Sequence, residues 1–162
     1  MSEEHDAVRA ADRLLIRDLP QRYACAMDLR DADALRALWE PQQEERLPWI
    51  DLGVIERAII PAWGSLGRTA SSIGYHVIDL QEDGRARGLV AATVHLAADG
   101  ELIEQQILYR DEYRRDDQAG WRFVRRLHEL RYGRVVGPDP WLAPPAHWPR
   151  SQTGAGVDPS SW

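Results

Sequence analysis

Apolar positions recur early in the chain at the three- and four-residue spacing of helices, and later at the two-residue spacing of strands. Val8, Ala11, Leu14 and Leu15 make a first helical stripe over residues 7–17. Pro20 follows. It offers no N–H to the carbonyl of Ile16 and its ring crowds that turn, so a kink or short break is expected, with helix resuming to about Met27. A second, short helix should start after Asp31. That residue is a good N-cap, and Asp33 falls in the first turn, where the helix dipole favours an anion. Leu35, Leu38 and Trp39 form its apolar face, and Pro41 ends it. Residues 46–52 (RLPWIDL) predict a short strand that Pro48 confines to a sheet edge. Residues 54–64 (VIERAIIPAWG) predict a helix of mediocre quality, closed near Gly64 and Gly67.

The second half reads as four β-rich runs: Ser72–Leu80, Arg85–Leu96, Leu102–Arg115 and Trp121–Tyr132. QEDG, AADG and DDQAG separate them, each a polar turn with glycine where a positive φ is needed. Long strands joined by hairpins make an antiparallel meander. Helices first and strands later predict an α+β fold with helices on one face of a curved sheet. On the third run Ile103, Gln105, Ile107, Tyr109, Asp111 and Tyr113 share the more apolar face, which should point inward. After Gly137 the chain is rich in proline and tryptophan. One domain over residues 1–150 is expected, with 137–150 as a lid carrying Trp141 and Trp148, and a disordered tail at 151–162.

Composition narrows the functional classes. Of 162 residues 44 % are apolar and the net charge is −6, which argues against a nucleic-acid surface. No apolar run approaches the roughly 18 residues of a membrane span. The acidic start MSEEHDAVRAAD lacks the pattern of a signal peptide, so a cytoplasmic location is expected. Cys25 is the only cysteine, which excludes a disulfide framework. The 20 basic residues are all arginine, which removes Schiff-base lysines and a phosphate-loop lysine. No histidine pair has metal-ligand spacing, so neither metal nor cofactor is expected.

Three aspartates crowd into MDLRDAD. Asp31 and Asp33 serve capping. Asp28 falls at a helix C-terminus, where the dipole disfavours a carboxylate. Facing an apolar cavity, it would suit general acid–base work; as a solvated residue it would pair with Arg30 or Arg22. Tyr23 lies five residues earlier, about 140° around the helix, and either flanks the same cavity or sits in the core.

Helix, kink, tyrosine, aspartate, short helix and four-strand meander resemble the nuclear transport factor 2-like superfamily. The likeness is closest to its SnoaL-like and scytalone dehydratase-like group. It runs from about Asp12 to Gly137 and rests on RYACAMDLRDADALRALW, SSIGYHVIDLQEDGRARG, ILYRDEYRRDDQAGWRF and RLHELRYG. The resemblance implies a conical sheet wrapped on a long helix, with a pocket at the wide end. It also implies a strand histidine paired with Asp28, but Ser71 or Ser72 stands at that place. His76 is then the substitute base if a bulge, plausibly at Gly74, brings it to the face of Ser71; otherwise it lies at the sheet surface. His95 resembles a second pocket histidine, or lies exposed at the rim.

The inward face of the third run puts Gln105 and Tyr109 within reach of a ligand, and the resemblance also implies a polar pocket position for Tyr109, with cross-strand tyrosine packing as the alternative. By the same resemblance Arg131 faces the cavity or makes a structural ion pair, and Trp49 stacks on a flat substrate; Trp141 would close over it in the lid, and both tryptophans otherwise simply pack. Family members commonly dimerise through the outer sheet face, where Arg114-Arg115 and Arg125-Arg126 would make salt bridges between copies of a homodimer. The expected activity is a cofactor-independent lyase or isomerase acting on a hydrophobic oxygenated small molecule such as a polyketide, steroid or other polycycle. The alternatives are an epoxide hydrolase or cyclase on the same fold, or a non-catalytic binding protein.

Overall fold

A computed structural model of the chain describes residues 3–41 and 48–139. Trp141, the rest of the expected lid and the tail at 151–162 lie outside the described residues. Helix α1 (Glu3–Leu29) runs without interruption and holds Pro20 inside it. The expected break does not occur. Pro20 is fully buried, and one missing backbone bond is tolerated where packing holds both halves of a long helix. The packing face also differs from the expected stripe. Val8, Leu14 and Leu15 are exposed, whereas Ile16, Leu19, Tyr23 and Ala26 are buried.

Arg30 ends α1 at φ +57°, and Asp31 N–H bonds back to Ala26 O at 2.9 Å. Helix α2 (Ala32–Ala37) follows, capped as expected: Asp31 Oδ1 accepts from Ala34 N–H at 2.9 Å. Its Leu35, with Leu38 and Trp39 beyond, is buried. Strand β1 (Trp49–Ile50) is an edge strand. Asp51 then caps α3 (Leu52–Val54), which passes through a π-helical turn at Ile55–Ile59 into α4 (Ile60–Ala62).

The meander comprises β2 (Thr69–Leu80), β3 (Arg85–Ala98), β4 (Glu101–Asp116) and β5 (Gly120–Pro138). The sheet order is β1-β5-β4-β3-β2, all antiparallel, so β2 is the second edge. Gly84, Gly100 and Gly120 adopt positive φ in the three hairpins. The result is the expected α+β architecture, with N-terminal helices on a curved, unclosed sheet.

Bulges decide which side chains face the helix. Pairing of β2 with β3 shifts between Ile73 and His76. Thr69, Ser71 and Ile73 point inward before the shift, and His76, Ile78 and Leu80 after it. On β5, Tyr113 pairs with Phe123 but Glu112 with Arg125, which inserts one residue and turns Arg126 inward instead of Arg125. The inward face of β4 is the one its alternation predicts, since Ile107, Tyr109, Asp111 and Tyr113 are buried.

Gly88 on β3 sits under this packing. A Cβ there would lie 2.7 Å from Tyr113 Oη and 2.8 Å from His76 Nε2. Tyr113 is fully buried and has no room to retreat. Gly88→Ala is therefore expected to lower stability by about 1–3 kcal/mol in urea unfolding. Gly137→Ala, with nothing near its added methyl, should stay within about 0.5 kcal/mol.

Candidate functional site

The C-terminal turns of α1 meet the start of β2, and a cavity of about 290 Å³ opens beside that junction. Its wall is mainly apolar, with Met27, Ile59, Val94, Leu96 and Ile107. Polar groups enter it from Tyr23, Arg30, Thr69, Ser71, Gln105, Tyr109 and His128. Asp28 stands behind the two hydroxyl residues. Its Oδ1 accepts from Thr69 Oγ1 and from Ser71 Oγ, each at 2.9 Å, and its Oδ2 accepts from Ser71 N–H at 2.7 Å. The last bond explains the location. Ser71 lies on an edge strand, and its amide turns away from β3 toward the open side. The carboxylate satisfies a donor that would otherwise await another strand. Among the described residues no histidine bonds to Asp28; Ser71 holds that place.

Arg30 lines the cavity with its guanidinium bonded to Gly67 O and to Met27 O. Burial lowers its pKa, opposed by the charge of Asp28. His128 packs its ring 5.4 Å from that of Tyr109, and burial lowers its pKa, helped by Arg126. Sequence reasoning did not assign His128 to the site, because the β5 bulge that aims it inward leaves no mark on the alternation.

Deeper in the cone lies a buried polar chain. Arg126 and Asp111 are shielded from water and joined by two bonds, Nε to Oδ1 at 2.7 Å and Nη2 to Oδ2 at 2.8 Å. Tyr113 Oη donates to Asp111 Oδ2 at 2.7 Å and lies 3.1 Å from His76 Nε2. The phenol proton is committed to the carboxylate, so Nε2–H must donate to Tyr113. That leaves His76 Nδ1 without a hydrogen-bond partner among the described residues. Burial lowers the pKa of His76 to about 4, helped by Arg126 and Arg17 against Asp111. The Arg126 guanidinium stacks 4.0 Å from the Tyr109 ring centre and 4.4 Å from that of Tyr23. Burial raises the pKa of Tyr109 and, less strongly, of Tyr23, so both phenols keep their protons.

Several expected site residues lie elsewhere. His76 belongs to the Tyr113–Asp111 chain and is not a partner of Asp28. His95 is on the outer face of the sheet, 3.3 Å from Glu104, because Val94 and Leu96 take the inward positions. Ser72 is exposed on the face opposite Ser71. Trp49 also faces outward, 4.5 Å from the Arg125 guanidinium, while its neighbour Ile50 lines the cavity. Arg131 occupies an inserted position, since Gln106 pairs with Tyr132 and Ile107 with Leu130, and it stands exposed 3.9 Å from Glu129. The inward arginine of this strand is Arg126. Arg114, Arg115 and Arg125 bond within the chain, to Glu40, Asp12 and Glu112. A depression of about 380 Å³ on the outer face is lined by Trp49, Val77, Asp79, Arg87 and two residues that are paired, Arg110 with Glu129 and Glu112 with Arg125.

A curved, unclosed sheet on a long helix, with a mostly apolar cavity beside the last turns of that helix, defines the nuclear transport factor 2-like architecture. Residues 8–127 match the SnoaL-like domain model, and the chain belongs to that family. By sequence, no curated protein matches it. Among solved structures it is similar to a type 2 hexachlorocyclohexane dehydrochlorinase, at 18% identity over 82% of this chain and 93% of that one, with a TM-score of 0.68. It is similar to hexachlorocyclohexane dehydrochlorinase LinA-type3 of Novosphingobium barchaimii, at 18% identity over 81% and 94%, TM-score 0.68. A scytalone dehydratase-like protein of Novosphingobium aromaticivorans matches at 15% identity over 82% and 96%, TM-score 0.66. At these identities the likeness establishes the fold.

Removing one member of the buried ion pair strands the other. Arg126→Met should cost about 3–5 kcal/mol in denaturant unfolding, and adding Asp111→Leu should recover more than half of that loss. A second prediction concerns pH. The folded His76 pKa lies below the ordinary 6.5, so the unfolded chain takes up the proton first as pH falls. Its contribution is present above about pH 6.5 and is lost as pH falls toward 4. Unfolding curves from pH 7.5 to 4 should show a smaller decline in His76→Gln than in the unsubstituted protein.

Proposed function

We propose that this chain is a cofactor-independent lyase or isomerase of the dehydratase type, acting on a hydrophobic oxygenated small molecule in the Tyr23–Tyr109 cavity. One observation carries the reading: the Asp28 carboxylate stands behind a mainly apolar cavity, bonded to two hydroxyls that line it. Such a pairing moves a proton without an imidazole. Ser71 Oγ takes a proton from the substrate as its own passes to Asp28 Oδ1, 2.9 Å away. Tyr109 and Tyr23, kept protonated by burial, donate to the oxygen that leaves or carries the developing charge. His128, neutral because it is desolvated, is available as a further acceptor. The names of the similar structures, a dehydrochlorinase and a scytalone dehydratase-like protein, both denote elimination and support the same class.

A second reading has an observation of its own. The position that resembles the family's histidine is Ser71, and no imidazole touches Asp28 among the described residues. A weak hydroxyl base favours a protein that binds such molecules without transforming them.

Product analysis by NMR on a panel of bicyclic hydroxy-ketones and polyketide-like phenols separates the two. Turnover should fall about 100-fold or more in kcat/KM with Asp28→Asn and measurably with Ser71→Ala, while His95→Ala stays near the parent. Ligands that bind in the cavity with no product from any of them would establish the binding reading instead.

A further inference from the structure

We propose that Arg30 is the anion-binding group of the cavity, and that the ligand taken there carries a carboxylate on a flat apolar body. This rests on the reading of the cavity as the ligand site and adds the charge that its ligand bears.

Arg30 is the one permanently charged side chain among the described residues that line the cavity. A guanidinium has five N–H groups. Nη1 donates to Met27 O at 3.4 Å and Nη2 donates to Gly67 O, so three of the five have no hydrogen-bond partner among the described residues. Both partners are main-chain carbonyls. They fix the plane of the group and carry no net charge to offset its own. Asp28, two residues earlier, spends its oxygens on Thr69 Oγ1, Ser71 Oγ and Ser71 N–H. Its charge reaches Arg30 through space, with no ion pair between them among the described residues. The Trp63 ring centre lies 5.6 Å from the guanidinium carbon and adds a weak attraction. The surroundings therefore orient this cation without neutralising it.

The backbone makes the same point. Arg30 sits at φ +57°, where helices commonly end on glycine, and a side chain there costs about 1 kcal/mol of strain. Gly67 can bring its carbonyl to the guanidinium only while bare, since a Cβ would lie 2.3 Å from Ala97 O.

Charge and shape choose the anion. A carboxylate is planar and carries one negative charge, and it matches the forked N–H geometry of a guanidinium. A phosphate monoester would set nearly two negative charges against one cation, with Asp28 close by. The rest of the wall is mainly apolar, with Ile50, Ile59, Leu66, Leu96 and Ile107. About 290 Å³ lies at the small end of ligand sites, roughly 300–1,000 Å³, and suits a body of one or two rings.

Calorimetric titration of the full chain at pH 7 and low salt compares 2-naphthoate with its neutral isostere 2-naphthamide. The naphthoate should bind about tenfold more tightly, and the preference should narrow in about 0.5 M sodium chloride. Arg30→Gly suits a backbone at positive φ and should keep the fold, while Arg30→Gln keeps a donor for Gly67 O without the charge. In each variant the preference should fall below about twofold, with naphthamide affinity unchanged. Equal binding of the two ligands, abolished by Leu96→Trp, would overturn the anion rule and leave the cavity as a ligand site. A preference for naphthoate that persists in both Arg30 variants, or that Leu96→Trp leaves intact, would place the anion elsewhere and overturn it as well. If neither ligand binds, the rule and the ligand-site reading fall together.

Discussion

A guanidinium sealed from water constrains everything packed around it. Arg126 carries a full charge at the heart of the cone, and leaving such a charge uncompensated would cost several kcal/mol. Asp111 supplies the counter-charge through two hydrogen bonds, and the aromatic rings of Tyr109, Tyr23 and Phe123 cover the guanidinium within 4.6 Å. Each partner then constrains another. Tyr113 must donate to Asp111, His76 must donate to Tyr113, and Gly88 must stay bare beneath them. Two of the rings held this way, Tyr23 and Tyr109, line the cavity, so the interior charge fixes part of its wall.

The other end of the cavity depends on a different economy of hydrogen bonds. Helix α1 stops where the free edge of β2 passes, and Asp28 joins them. The same carboxylate that quiets an edge amide also orients two hydroxyls toward itself. Ser71 stands where the family resemblance implies an imidazole, and the carboxylate meets two hydroxyls and an amide there instead.

Much of the architecture is legible in the sequence. The meander, its polar turns, the Asp31 cap and the inward face of β4 follow from local rules that act within a few residues. Other features of α1 were misread for a physical reason. Leu14 and Leu15 are apolar but exposed, and Asp12 is polar but bonded to the Trp121 indole at 2.8 Å, so hydrophobicity alone chose the wrong stripe. Pro20 suggested a break that packing overrides.

What the amino-acid order determined by itself was the set of elements, their sequence and the faces of unbulged strands, because propensity, capping and two-residue alternation are properties of neighbours. Tertiary structure alone decided which titratable groups meet. The bulge expected at Gly74 does turn His76 inward, but only the fold sends it to Tyr113 and not to Asp28, and the insertion in β5 exchanges Arg125 for Arg126 and brings His128 to the cavity. A bulge reverses every later side chain on its strand, yet it is fixed by how two strands and a helix fit together. Asp28 meets Ser71 across 43 positions of chain for the same reason: only the folded sheet brings its open edge to the end of the helix.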